Sequence, residues 1–153
     1  MKRTVILGRG AAGKSTLAKQ LSERFDLPLI ELDALFWRPG PTPTPPEVWR
    51  SAHQQLISQD RWIIDGDLGD YDSGLAERLS RADTIVILDF PLRVCLPRAL
   101  RRSRETWEFW SWLIRYRRDS LPYITTAARR NTHARTYLLR TPTEVKTFLA
   151  DLH

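Results

Sequence analysis

The chain of 153 residues is 42% hydrophobic and 27% charged, a balance that suits a folded globular domain and argues against disorder. No stretch approaches the roughly 18 apolar residues of a membrane span, the apolar run after Met1-Lys2-Arg3 is too short for a signal peptide, and a single cysteine, Cys95, excludes an internal disulfide and a cysteine-based zinc site, so a cytoplasmic protein with no membrane partner is expected. Charge is the unusual quantity: 24 basic residues stand against 18 acidic ones, net +6, twenty of the 24 are arginine, and twelve of those arginines lie between residues 91 and 140 with only Glu105, Glu108 and Asp119 to oppose them.

Five short apolar runs read as strands, at 4–7, 29–32, 62–64, 84–88 and 136–139. They are nearly continuous rather than alternating, the pattern of parallel strands covered on both faces. Leu17, Leu21 and Phe25 recur at helical spacing after the first strand, and Leu27-Pro28 ends that helix. Residues 39–46 hold five of the ten prolines and read as a stiff, extended connection inside one domain. Thr44-Pro45-Pro46-Glu47 is a capping-box pattern with proline at the first helical position, opening a helix to about residue 58. A helix is expected over about 73–80, and another after Pro91 with a kink or a late start at Pro97. Trp107, Trp110, Leu113 or Ile114, and Arg117 fall at helical spacing, which reads as a buried tryptophan helix displaying arginines, and Thr141-Pro142-Thr143-Glu144 repeats the capping box before a last helix. His53, His133 and His153 have no paired carboxylate and read as surface residues. Strand–helix alternation of this kind specifies an α/β fold with a parallel sheet.

Directly after the first strand the chain reads Gly8-Arg9-Gly10-Ala11-Ala12-Gly13-Lys14-Ser15-Thr16, a full G-x-x-x-x-G-K-[ST] phosphate loop between a strand and a helix. Backbone N–H groups of residues 8–16 must point at phosphate oxygens, and side chains at Gly8 and Gly13 would obstruct them. The helix N-terminus adds positive potential, Lys14 reaches the β- and γ-phosphates, and the Ser15 hydroxyl is a magnesium ligand. The residues therefore call for a nucleoside triphosphate, ATP, with Mg²⁺.

The loop, the chain length and the strand count resemble the adenylate-kinase-like small P-loop kinases. Leu32-Asp33-Ala34-Leu35-Phe36-Trp37-Arg38-Pro39-Gly40, Trp62-Ile63-Ile64-Asp65-Gly66, and Asp83-Thr84-Ile85-Val86-Ile87-Leu88-Asp89-Phe90-Pro91 are similar, more closely, to the bacterial DNA topology modulation proteins, a group that also goes under the name adenylate kinase. The resemblance spans essentially the whole chain. It implies one domain over 1–153, a three-layer sandwich with a five-stranded parallel sheet of order 2-3-1-4-5, an acceptor-binding segment over about 33–60 and a short arginine-rich lid over about 98–118.

Asp65 and Asp89 each follow an apolar strand and compete for the magnesium role; the resemblance places Asp65-Gly66 beside the phosphate-loop strand and so favours Asp65. Asp33, just past strand two, can bind an acceptor hydroxyl and take its proton, or can simply cap a short helix over 34–37. Arg98, Arg101 and Arg102 share a helical face, and fixed cationic forks suit an anionic transition state. The resemblance places Arg98 over the adenine and Arg102 near the transferring phosphates. Adenylate kinases carry an arginine shortly after the Asp-Gly pair to grip the acceptor phosphate, whereas Leu68, Gly69 and Asp70 stand there in this chain. Either a hydroxyl- or amine-bearing acceptor fits the acids better than a nucleoside monophosphate does, or the acids form a solvated loop that caps the helix over about 73–80. The function expected is γ-phosphoryl transfer from MgATP to a small acceptor by a monomer or weak homodimer. Its rivals are an ATPase or nucleotide-dependent regulator acting on DNA, and a nucleotide-binding module without transfer.

Overall fold

A strand whose Val5, Ile6 and Leu7 have no solvent exposure lies inside a sheet covered on both faces, and β1 (Arg3–Gly8) is that strand. The computed structural model describes residues 1–40, 42–102 and 107–152, with the backbone alone at Arg102. After β1 come α1 (Lys14–Phe25), β2 (Leu29–Glu31), α2 (Leu32–Phe36), β3 (Trp37–Arg38), β4 (Thr42–Pro43), α3 (Pro46–Ile57) and β5 (Trp62–Asp65). A single 3-10 turn (Gly69–Tyr71) leads to α4 (Leu75–Arg81), β6 (Thr84–Leu88), α5 (Leu92–Arg102), α6 (Trp107–Asp119), α7 (Leu121–Arg129), β7 (Arg135–Leu139) and α8 (Pro142–Asp151).

The main sheet is parallel throughout, in the order β2-β5-β1-β6-β7, which is 2-3-1-4-5 when its strands alone are counted. Ile6 pairs with Asp65 on one side and Val86 on the other, so the strand ends that carry Gly8, Asp65 and Asp89 emerge together. Side chains alternate between two cores. Val5, Leu7, Ile64, Ile85 and Ile87 pack under Trp49 of α3, Leu79 of α4 and Tyr116 of α6. Ile6, Ile63, Val86 and Leu88 pack under Leu17 and Leu21 of α1, Cys95 of α5 and Phe148 of α8. This is a three-layer α/β sandwich.

Several local expectations change. The proline-rich stretch is not one extended connection: Trp37 pairs with Pro43 and Arg38 with Thr42 in a small antiparallel hairpin, turned where Gly40 takes φ 79°. Pro41 lies outside the described residues. Thr44 does not cap α3. Its hydroxyl donates to the Phe36 carbonyl at 2.5 Å and its N–H bonds the same oxygen at 3.1 Å, leaving Pro45 at the helix start with no side-chain cap. The identical spelling at Thr141 does cap, Glu144 N donating to Thr141 Oγ1 at 3.1 Å. Helix α5 begins at Leu92 and carries Pro97 inside it, so there is no late start. Helix α7 was not anticipated; Leu121, Ile124 and Ala128 turn its apolar face inward. His53 is buried rather than on the surface, because α3 sets it against Arg78, whose Nη1 lies 3.2 Å from His53 Nε2. His153 lies outside the described residues. Among the described residues no helix is long and apolar enough to cross a membrane.

Candidate active site

The phosphate loop leaves β1 at Gly8 and enters α1 at Lys14, as its spelling requires. Gly8 has φ 148°, and a Cβ there would stand 2.6 Å from the Leu88 carbonyl oxygen of the neighbouring strand, so only glycine lets the loop start this close to β6. Gly10 is also closely covered: a Cβ would meet the rings of Phe109 and Trp112 at 3.0 Å, which places α6 directly on the loop. The Lys14 ammonium donates to the Gly8 carbonyl at 2.9 Å and the Arg9 carbonyl at 3.2 Å, folding back onto the start of the loop. Ala11 and Ala12 are buried, whereas Ser15 and Thr16 face outward at the helix start.

Asp65 ends β5 next to this loop. Burial raises its carboxyl above the usual range, and the Ser15 hydroxyl and the Lys14 ammonium, both close to it, pull the other way. Its Oδ1 is buried with no hydrogen-bond partner. A serine hydroxyl beside an unsatisfied carboxylate oxygen suits Mg²⁺, which takes one or two protein oxygens and fills its octahedron with phosphate and water. Among the described residues there is no cluster of three or more acids, histidines or cysteines able to hold a metal by itself. Asp89 is committed elsewhere. Its Oδ1 accepts from Arg117 Nε at 2.7 Å, and Arg140 Nε stands 3.8 Å from Oδ2.

Asp33 sits in the first turn of α2, not at its cap, since the helix begins one residue earlier and Glu31 holds the cap position without a side-chain bond. It is exposed, its Oδ1 accepts from Trp37 Nε1 at 3.2 Å, and it lies close enough to Asp65 to help raise that carboxyl. Arg98 leans across α5 toward the loop, its Nη1 3.5 Å from the Ala12 carbonyl and its guanidinium over the Phe90 ring. Arg101 is exposed, and the Arg102 side chain lies outside the described residues. The geometry thus brings Lys14, Ser15, Asp65, Asp33 and Arg98 to one end of the sheet. In the rest of the arginine segment, Arg115, Arg118, Arg129, Arg130 and Arg135 are exposed. The tryptophan helix is buried only on the side of Leu113 and Tyr116, while Trp107 is 80% exposed.

Other side-chain placements here were not foreseen. Arg9 is buried under the loop, its Nη1 3.4 Å from the Phe90 carbonyl, and burial pulls its guanidinium below the usual value. Asp67 has a buried Oδ2 without a partner; burial raises its carboxyl, and Lys14 opposes that. Arg78 and Asp72 form a buried pair with Nη1 to Oδ1 at 3.1 Å and Nη2 to Oδ2 at 2.5 Å, fixing the loop between β5 and α4. An acid every second or third residue in that loop was the available signal, but nothing in it says which acid turns inward.

No protein-family model matches the sequence, and no curated protein matches it closely enough to count as a relative. Solved structures do match. Shikimate kinase from Bacteroides thetaiotaomicron superposes with a TM-score of 0.64 at 18% identity over 99% of both chains. The YorR protein from Bacillus subtilis, solved with phosphorylated GDP, gives 0.61 at 20% identity over 96% of this chain and 94% of its own. A gluconokinase from Sinorhizobium meliloti gives 0.58 at 18% identity over 97% and 91%. The fold is that of the small P-loop kinases. Open α/β sheets bind ligands at the carboxyl ends of their strands, and Gly8, Asp33 and Asp65 lie at that end here.

Proposed function

We propose that this chain is an ATP-dependent kinase that moves the γ-phosphoryl group of MgATP to a hydroxyl of a small acceptor. The observation that carries the reading is the convergence of an intact phosphate loop, the Ser15–Asp65 pair with its unsatisfied Oδ1, and Asp33, all at one end of the sheet. Backbone N–H groups from Gly8 to Thr16 and the Lys14 ammonium would hold the β- and γ-phosphates. Ser15 and Asp65 would hold magnesium, which when bound neutralises charge on those phosphates. Asp33 would orient the acceptor hydroxyl and take its proton, and Arg98 would meet negative charge developing on the leaving ADP, with Arg101 and Arg102 further along the same helix. Phe109 and Trp112 cover Gly10 and would exclude water from the loop, limiting hydrolysis. We read residues 1–153 as one domain, with 33–60 on the acceptor side, 98–118 as the lid, and a sequence resemblance to the DNA topology modulation group.

The test is ADP release with MgATP and a panel of nucleosides, nucleoside monophosphates, sugars and hydroxy acids. A kinase shows little ADP release until its acceptor is added; if none raises release above the Lys14→Ala background, the reading fails. Asp33→Asn should abolish transfer while ATP affinity stays near wild type. The outward arginines favour a second reading, a nucleotide-dependent regulator acting on DNA. That reading requires duplex binding that weakens steeply with salt and changes when MgATP is added.

A further inference from the structure

The loop from Asp67 to Asp72 lines one side of an open cavity of about 440 Å³, with α7 and the end of α6 on the other side. Four carboxylates line it: Asp67, Asp70, Asp72 and Asp119. Two of them are already neutralised. Asp72 is held by both terminal nitrogens of the fully buried Arg78, and Asp119 takes Arg118 Nε at 2.8 Å. That leaves Asp67 and Asp70 facing a space with no lysine or arginine on its described lining.

A second set of groups points at the same region. The cavity adjoins another of about 350 Å³ that shares Asp70, Asp119 and Ser120 and is lined by Trp112 and Tyr116. Tyr116 has no solvent exposure, yet its hydroxyl has no hydrogen-bond partner. Trp112 Nε1 and Asp67 Oδ2 are likewise buried and unpartnered. Trp112 Nε1 also lies 3.9 Å from where a Cβ on Gly69 would stand, so the indole N–H sits against the acidic loop. Unsatisfied buried polar atoms are rare because each costs about 1–3 kcal/mol, and a site that concentrates them is fitted to a ligand that satisfies them. Here the set is one carboxylate oxygen without a hydrogen-bond partner beside one O–H and one N–H group.

We infer that the phosphoryl acceptor is a hydroxylated amine, its ammonium group held by Asp67 and Asp70 and its hydroxyls by Trp112 and Tyr116. This rests on the kinase reading and names the acceptor class for it. An acceptor carrying a carboxylate or phosphate would have to enter against Asp67 and Asp70, and the nearest arginine of the loop, Arg78, is consumed by Asp72. Lys14 and Arg78 both offset Asp67, but Arg78 is already consumed by Asp72, and Lys14 is the residue that would turn to the triphosphate. An ammonium group in the cavity replaces it as counter-charge. Arg115, exposed at the rim of the smaller cavity, is the one cation among the described lining residues of either. Transfer forms a bond between the acceptor hydroxyl oxygen and the γ-phosphorus and breaks that phosphorus's bond to the β–γ bridging oxygen. ADP leaves, and the hydroxyl proton passes to a base, the role that the kinase reading gives to Asp33.

Isothermal titration tests this without requiring transfer. The whole chain, loaded with Mg²⁺ and a non-transferable ATP analogue, is titrated with ethanolamine, serinol and glucosamine. The matched neutral compounds are ethylene glycol, glycerol and glucose, and the matched anions are glycolate, glycerate and gluconate. Within a matched set the amine should bind at least tenfold more tightly, and Asp67→Asn should remove the advantage. Should Asp67→Asn fail to fold, Asp70→Asn, on the exposed side of the loop, decides: it should cut the preference at least threefold. Equal or tighter binding of neutral or anionic compounds, no binding of any amine, or a preference that survives the variants that fold overturns the inference. ADP release against Lys14→Ala judges the kinase reading separately, so a kinase that prefers a neutral or anionic acceptor is distinguishable from a protein that transfers nothing.

Discussion

Arg117 of α6 donates from Nε to Asp89 Oδ1 at 2.7 Å and from Nη2 to the Asp89 carbonyl at 3.3 Å, fastening the helix that covers the phosphate loop to the end of β6. Asp89 is nearly buried while Arg117 is half exposed, so the two partners are unequal. Losing the arginine leaves a largely desolvated carboxylate with only the more distant Arg140; losing the carboxylate frees an arginine that water can solvate. Arg117→Met should therefore destabilise more than Asp89→Asn, by about 1–3 kcal/mol against about 1 kcal/mol. A double-mutant cycle in urea should give a coupling of about 1 kcal/mol, and additive effects would mean that the contact does not fasten α6.

The Asp65 carboxyl supplies a prediction of opposite sign for stability and function. Its folded value lies above the ordinary 3.8 because burial disfavours the charged form. A raised acid binds its proton more tightly in the folded chain, so its contribution favours folding at low pH and is lost as pH rises through the folded value. Asp65→Asn should thus raise the melting temperature of the nucleotide-free protein near pH 7.5, by about 2–4 °C for each kcal/mol relieved. The gain should shrink as pH falls toward 4. The same variant should lose the further stabilisation that MgATP confers. Asp83 works the other way. Its carboxylate accepts from the backbone N–H groups of Lys2 and Arg3 and from Thr84, which hold it below the usual range, so its contribution is present at neutral pH and lost on acidification. Thermal scans from pH 4 to 8 on wild type and Asp65→Asn check the sign.

The strands and the loop were legible because parallel buried strands and a phosphate loop leave patterns that are local in sequence, whereas the sheet order came from the resemblance alone. Val5-Ile6-Leu7 and Ile85-Val86-Ile87 read as continuous apolar runs, and glycine spacing fixes the loop. What could not be read depended on contacts between distant residues. Thr44 and Thr141 head the same four-residue spelling, yet Thr44 spends its hydroxyl on Phe36. Asp67, Asp70 and Asp72 are alike in sequence, and only Arg78, brought in by α4, determines that Asp72 is the neutralised one. The arginine segment suggested a cleft full of positive charge because composition counts charges without saying which way a helix turns them.

The buried Arg78–Asp72 pair should be the most costly single charge to remove. Both side chains are almost without solvent contact, and the pair positions Leu68, whose N–H is 3.3 Å from Asp72 Oδ2. Arg78→Met leaves a buried carboxylate and should cost about 3–5 kcal/mol. Replacing both partners in Arg78→Met/Asp72→Leu should recover a large part of that, because the desolvation penalty goes with the charges. Equilibrium urea unfolding of the two variants decides it, and a double variant as unstable as Arg78→Met would show that packing around Arg78, not its charge pairing, is what matters.

Gly10 tests whether α6 acts as a cover for the phosphate loop. A methyl group there would stand 3.0 Å from ring atoms of both Phe109 and Trp112, closer than such atoms normally approach, so the rings or the helix must shift by a few tenths of an ångström. Crowding of this kind costs about 1–3 kcal/mol when the neighbours are held firmly. The effect is on packing, since Gly10 is not among the glycines with positive φ. Lifting the rings should expose the Trp112 indole and admit water to the loop. Gly10→Ala should therefore shift tryptophan emission to longer wavelength and raise acceptor-independent ATP hydrolysis, with Trp112→Phe showing how much of the emission change belongs to that residue. If hydrolysis stays at the wild-type level while stability falls, α6 holds the fold together over the loop without shielding the phosphates, and the lid assignment for this helix fails.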